Sequence, residues 1–182
     1  MGMAVPLYYS AEMVRKIPDD GKRYETVHGE LLVTPAPRFL HQEIVARIAE
    51  ALRAYLRRNP FGHAIQSPAD ISWGPDSLVQ PDVFVADLEE ARTGEWSSMK
   101  TLLLVVEVLS PGTARQDRFA KRRLYQEVGV PLYWIVDLDQ KAVEVWTPEA
   151  QFPAIEHERV VWRPETAAEA FVLELEVLFK PI

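Results

Sequence analysis

The chain has 182 residues, 48% of them hydrophobic and 26% charged, with a formal charge of −7; this is the size and balance of one soluble domain with a substantial core. It contains no cysteine, which excludes disulfides, thiolate catalysis and cysteine-held zinc or iron–sulfur sites. It has no apolar run of ~18 residues, which excludes a helical membrane span, and its negative charge argues against nonspecific coating of nucleic acid while leaving room for a local basic patch.

The opening "MGMAVPLYYS" has no basic segment followed by an apolar one, so a cytoplasmic protein without a signal peptide is expected. Arginine is preferred over lysine, there are 14 prolines, and Asn59 is the only asparagine; this usage points to a thermophile. Residues 10–17 predict a short helix, stopped by "PDDGK". "RYETVHGELLVT" predicts a hairpin turning at His28-Gly29. Residues 38–58, preceded by Pro35 and Pro37, predict the first long helix. Its apolar face is Ile44, Val45, Ile48, Leu52, Tyr55 and Leu56, with His41 near the centre of that face and Glu43 opposite. "HAIQSPADISW" and "LVQPDVFVA" read as strands, the second entered through Pro81.

"TLLLVVEVLS" is a short continuous apolar run, the pattern of a strand buried on both faces. Pro111-Gly112 ends it. Residues 114–128 predict the second helix, closed by Gly129. "PLYWIVD" and "KAVEVWT" are further strands, and "AFVLELEVLF" ends the chain in extended or mixed form. The order of hairpin, helix, three strands, helix and strands predicts a single α/β domain over residues 1–182, with a mixed central sheet.

Glu107 is the one charged residue inside the most apolar strand. An unpaired buried charge costs several kcal/mol, so Glu107 requires a partner cation or a metal. Strand parity places Leu103, Val105, Glu107 and Leu109 on one face. Asp82 opens the apolar strand "PDVFVA". Alone it reads as a turn residue; beside Glu107 it suggests a divalent metal site, because two carboxylates and water suit Mg²⁺ and leave coordination open for phosphate. At ~100° per residue, Asp117 falls within the stripe formed by Ala120, Leu124 and Val128, and Lys121 at its edge. The pair is either an ordinary i,i+4 ion pair or a lysine aimed at a metal-bound water or a phosphate. His41 is either a core or capping histidine or a site residue. Arg115, Arg118, Lys121, Arg122 and Arg123, with Arg47, Arg53, Arg57 and Arg58 on the first helix, are either solvated faces or the flanks of a basic groove.

Asp82 in "PD", Glu107 in "EVLS" and Lys121 on the next helix resemble the PD-(D/E)XK nuclease superfamily. The chain is more closely similar to the Uma2 family of restriction-endonuclease-like proteins. The likeness covers "RYETVHGELL", the His41 that opens the first helix, "PDVFV", "LLLVVEVLSPGT", the series Asp117, Lys121 and Tyr125, "GVPLYWIVD", and the tail ending in "LF". It implies a restriction-endonuclease-like αβββαβ core with an added N-terminal hairpin. It implies Mg²⁺ or Mn²⁺ held by Asp82, Glu107 and the main-chain carbonyl of Val108. It implies catalysis of DNA phosphodiester hydrolysis by Asp82, Glu107 and Lys121, with Asp117 orienting Lys121 and His41 as an auxiliary residue. The superfamily lysine stands two residues after the glutamate, where this chain has Leu109; Lys121 is the expected replacement. A homodimer is expected, since cutting two strands favours two sites. The alternative is an inactive nuclease-fold module that binds DNA or protein, linked to mobile elements.

Overall fold

In the computed structural model, which describes residues 7–182, the first element is α1 (Ala11–Arg15), begun where the Ser10 hydroxyl accepts from the Met13 N–H. Residues 1–6, which fall in the stretch read above for a leader, lie outside the described residues. Next, β1 (Arg23–Val27) and β2 (Glu30–Thr34) form the expected hairpin, paired from Arg23–Thr34 to Val27–Glu30. His28 and Gly29 turn it at φ 51° and 82°, the left-handed pair that a two-residue hairpin turn takes. The long helix α2 (Phe39–Arg58) buries His41, Ile44, Val45, Ile48, Ala49, Leu52, Tyr55 and Leu56, a stripe at helical spacing.

Two expected strands are each broken in the structure. "HAIQSPADISW" gives β3 (Gly62–Gln66) and β4 (Ile71–Ser72), separated at Ser67-Pro68; "LVQPDVFVA" gives β5 (Leu78–Val79) and β6 (Val83–Asp87), separated at Gln80-Pro81-Asp82. Proline has no N–H for a ladder, and at both breaks the chain passes from one sheet to another. Then come α3 (Leu88–Arg92), capped by the Asp87 carboxylate, a 3-10 turn at Trp96–Ser98, and β7 (Leu102–Val108). The expected second helix is wound wide in its first part: a π-helical stretch, Gln116–Lys121, runs into α4 (Arg122–Glu127). The remainder is β8 (Tyr133–Asp137), β9 (Ala142–Trp146), β10 (Ala154–Glu156), β11 (Arg159–Trp162), β12 (Phe171–Glu174) and α5 (Leu175–Leu178). The tail "AFVLELEVLF" is thus half strand and half helix.

The central sheet has the order β10-β9-β8-β7-β6-β3, and β7–β8 is its parallel pair. A parallel pair needs a crossover, supplied here by the π-helical stretch and α4. The run α2-β3-β6-β7-α4-β8 is the expected αβββαβ core, in a mixed sheet. One face of the sheet is covered by α2, α5 and the β11–β12 pair, around Trp134, Phe171 and Leu52. The other is covered by a second sheet, β2-β1-β5-β4, and by α4, around Phe84, Tyr125 and Tyr133. Val105, Glu107 and Leu109 point toward this second layer, as parity requires. Leu103 does not. The ladder pairs Val85 with Leu104 and Ala86 with Leu102, skipping Leu103, which packs on the α2 side. This bulge inverts parity below it. Among the described residues, no helix is long and apolar enough to cross a membrane.

Candidate active site

The register pairs Val83 with Val106, and continuing it by one residue sets Asp82 opposite Glu107. Both side chains then leave the sheet on the same face, at the end where β6 begins and β7 finishes. Asp82 is fully engaged. Its Oδ2 accepts from the Val108 N–H at 2.9 Å and lies 3.2 Å from His41 Nε2, and its Oδ1 accepts from Arg23 Nη1 at 2.9 Å. His41 reaches this point from the first turn of α2, around the end of the sheet.

Glu107 Oε1 accepts from Lys121 Nζ and from the Tyr125 hydroxyl, each at 3.0 Å. Lys121 and Asp117 both turn inward from the π-helical stretch, and each is 3% exposed. The ammonium of Lys121 sits 3.0 Å from Glu25 Oε1 and 3.6 Å from Asp117 Oδ1 as well. The main chain of Asp117 is fixed by the Tyr133 hydroxyl, which donates to its carbonyl at 3.0 Å. Asp82, Glu107, Val108, Asp117, Lys121 and His41 all line one cavity of about 20 Å³, room for a single water or ion.

Two residues of this cluster were not singled out from sequence. Arg23 and Glu25 stand two apart on β1 and therefore share a face. Arg23 binds Asp82 and also donates to the Gln80 carbonyl at 2.9 Å; Glu25 binds Lys121 and also accepts from the Gln80 N–H at 2.7 Å. One strand of the hairpin thus grips the lysine, the aspartate and the backbone just before that aspartate. The signal available in sequence was a pair of opposite charges at period 2 within "RYETV". Glu43 is half-buried, tied to Arg47 at 2.8 Å, and not among the lining residues of the cavity.

The expected basic flanks are corrected in part. Arg47 donates to the carbonyls of Leu178 and Lys180, and Arg53 to the carbonyl of Ala64. They fasten α2 to the tail and to β3. Lys121 is buried, and Arg118 pairs with Asp137 at 3.0 Å and Glu144 at 2.6 Å. The exposed cations of the expected second helix are Arg115 and Arg123, and on α2 Arg53, Arg57 and Arg58 are exposed.

Burial alone would raise the Asp82 carboxyl, but the hydrogen bond from His41 and the Arg23 charge hold it below the usual carboxylate range. Glu107 goes the other way: burial, with Asp82 and other carboxylates nearby, outweighs Lys121 and holds it well above its ordinary value. Burial likewise raises Asp117 to about 6, against the pull of Lys121. Lys121 would be lowered by burial, yet Glu107, Glu25 and Asp117 together keep it above its ordinary value, a firm ammonium.

Four buried or nearly buried carboxyl groups, Glu25, Asp82, Glu107 and Asp117, therefore face two permanent cations, Arg23 and Lys121. Carboxyl oxygens are the donors that a hard divalent cation takes. Among the described residues, no group of three or more acidic or histidine side chains is placed to hold a metal ion. The fit is to an ion that takes two carboxylates and completes its shell with main-chain oxygen, water and phosphate, the habit of Mg²⁺.

A family model described as Uma2, putative restriction endonuclease, matches residues 11–176. The fold is similar to the crystal structure of a putative nuclease belonging to DUF820 from Anabaena variabilis ATCC 29413, with TM-score 0.76 and 20% sequence identity, covering 94% of this chain and 97% of that one. No curated protein matches the chain.

Proposed function

The chain belongs to the Uma2 family of putative restriction endonucleases, and on that premise we propose that it is a metal-dependent nuclease hydrolysing DNA phosphodiester bonds. The observation that carries this reading is the convergence of Asp82, Glu107 and Lys121 on one small cavity. Asp82, Glu107 and the Val108 carbonyl would hold Mg²⁺ or Mn²⁺. When bound, the metal supplies charge on a phosphoryl oxygen and a more acidic water.

The remaining roles belong to the chain. Lys121 acts as a fixed cation toward the phosphate or the attacking water, since its carboxylate neighbours keep its proton in place. Asp117 and Glu25 hold the ammonium against Glu107. His41 and Arg23 hold Asp82 ionised. The two facing carboxyl groups are pushed in opposite directions, the pattern that separates the roles of an acid–base pair.

The test is plasmid nicking in Mg²⁺ and in Mn²⁺ by the wild type and by Glu107→Gln. Loss of at least ~10²-fold in rate is expected. A wild type that cuts no DNA in either metal would sink the enzyme reading. The inactive-module reading has one observation in its favour: both Asp82 oxygens are already occupied by Arg23, His41 and the Val108 N–H. A homodimer with two sites is also proposed; sedimentation giving the mass of one chain would refute it.

A further inference from the structure

The cavity that holds Lys121 has a neighbour. A larger groove, about 630 Å³, lies between the first residues of β2 and the outer side of the π-helical stretch. Its two walls are the walls of the small cavity, continued. On β2, Glu30, Leu31 and Leu32 line the groove, and Thr34 and Pro35 line the cavity. On the other wall, Arg115, Phe119 and Arg123 line the groove, and Thr113, Asp117 and Lys121 line the cavity. The groove therefore runs along the segment that carries the lysine.

Its charge runs against that of the chain. The chain carries −7 overall, yet this groove presents the exposed Arg115 and Arg123 against one acidic residue, Glu30; Arg122 also lines it, with its guanidinium stacked over Trp146. Arg115 has no ion-pair partner among the described residues, and Arg123 has a loose one, Glu127 at 3.4 Å. Between them Phe119 stands 63% exposed. Aromatic faces between arginines take unpaired bases, with the cations following the phosphates. A duplex keeps its bases stacked inside, so stacking one on Phe119 would cost a few kcal/mol of unstacking.

We propose that this groove binds single-stranded nucleic acid, with a base stacked on Phe119 and phosphates on Arg115 and Arg123, and leads the strand to the cavity at Lys121. The inference rests on the nuclease reading for the fate of the strand and on the groove alone for its binding.

The experiment is fluorescence anisotropy in EDTA, where no metal-dependent cleavage proceeds. The probes are one labelled oligonucleotide as single-stranded DNA, the same sequence as single-stranded RNA, its DNA duplex, and polyglutamate. Wild type should bind one or both single strands more tightly than the duplex or polyglutamate. Phe119→Ala should lose about 10-fold in affinity for the single strand, with Phe119→Trp restoring it. The double change Arg115→Gln with Arg123→Gln should make the plot of log affinity against log salt shallower by about 1.4. Equal or tighter binding of duplex, unaffected by Phe119→Ala, overturns the proposal in favour of a duplex surface. Polyglutamate binding as tightly as the single strands overturns it in favour of an acidic peptide, and no measurable binding of either single strand overturns it outright. Single-strand binding with no cleavage of that strand or of plasmid in Mg²⁺ or Mn²⁺ leaves this proposal standing and removes the nuclease; cleavage with no single-strand binding does the reverse.

Discussion

Glu107 is bonded to a lysine and a tyrosine, but the lysine does not depend on it. Lys121 keeps Glu25 and Asp117 when the Glu107 charge is removed, and burial already works against that charge. Glu107→Gln retains an acceptor for both donors. It should therefore fold as well as the wild type or better, while losing the rise in melting temperature that bound Mg²⁺ confers by mass action. Thermal melts with EDTA and with Mg²⁺ measure both; a large drop in EDTA would show that Glu107 is a structural ion-pair member first. Lys121 is the opposite case. Removing it strands three carboxylates, so Lys121→Met should cost ~3–5 kcal/mol in denaturant unfolding. An assay of that variant alone cannot separate a lost cation from a lost fold. Asp117 adds a pH dependence. Its carboxyl is raised from 3.8 to about 6 by burial, so between those values the folded protein holds a proton that the unfolded chain has released. Stability falls as pH rises through that window and is level above it. Asp117→Asn lacks the proton, so its stability relative to the wild type should improve by about 2 kcal/mol from about pH 4 to about pH 7. A difference flat across that range would show that Asp117 is not protonated there.

The hairpin is an addition to the αβββαβ core, and it completes the site. Strand β1 brings Arg23 to Asp82 and Glu25 to Lys121 from one face, and pins the Gln80 backbone between them. Arg23 is partly buried against a buried aspartate. Arg23→Ala should lower stability by ~3 kcal/mol, the scale for breaking a buried pair, and leave Asp82 less firmly ionised. A variant that melts like the wild type would show that His41 and the Val108 N–H suffice to hold Asp82. The π-helical stretch has a different task. It sets Asp117 and Lys121 inward and Phe119 outward, so one short element serves the buried cavity and the open groove.

Both cores of the molecule rest on the same central strands. Val83, Leu104 and Trp134 belong to one face, and Phe84, Val105 and Tyr133 to the other. Each layer packs on those shared strands, so neither keeps its buried face if the central sheet melts. Unfolding should be a single cooperative transition. Trp134→Phe and Trp146→Phe each remove an indole from a different face; the fluorescence of each variant should follow its own circular dichroism with one midpoint. Separate midpoints would mean that the hairpin layer or the α2 layer opens alone.

Much of this arrangement was legible in the chain because it is local. Helical spacing marked α2 and the inward turn of Asp117 and Lys121; period 2 and a continuous apolar run marked β7 and isolated Glu107 within it; His28-Gly29 marked the hairpin. Each signal is carried by residues a few positions apart, where backbone geometry alone sets direction. What the tertiary structure decided lies between distant segments. It placed Arg23 and Glu25 in the cluster, since nothing within β1 says which layer its charged face will meet. It turned Leu103 to the α2 side through a bulge that exists only in the pairing of β6 with β7. It sent Arg47 and Arg53 to backbone carbonyls of the tail and of β3 instead of a groove. A charged side chain fixes its partner by distance in space, and the sequence records only distance along the chain.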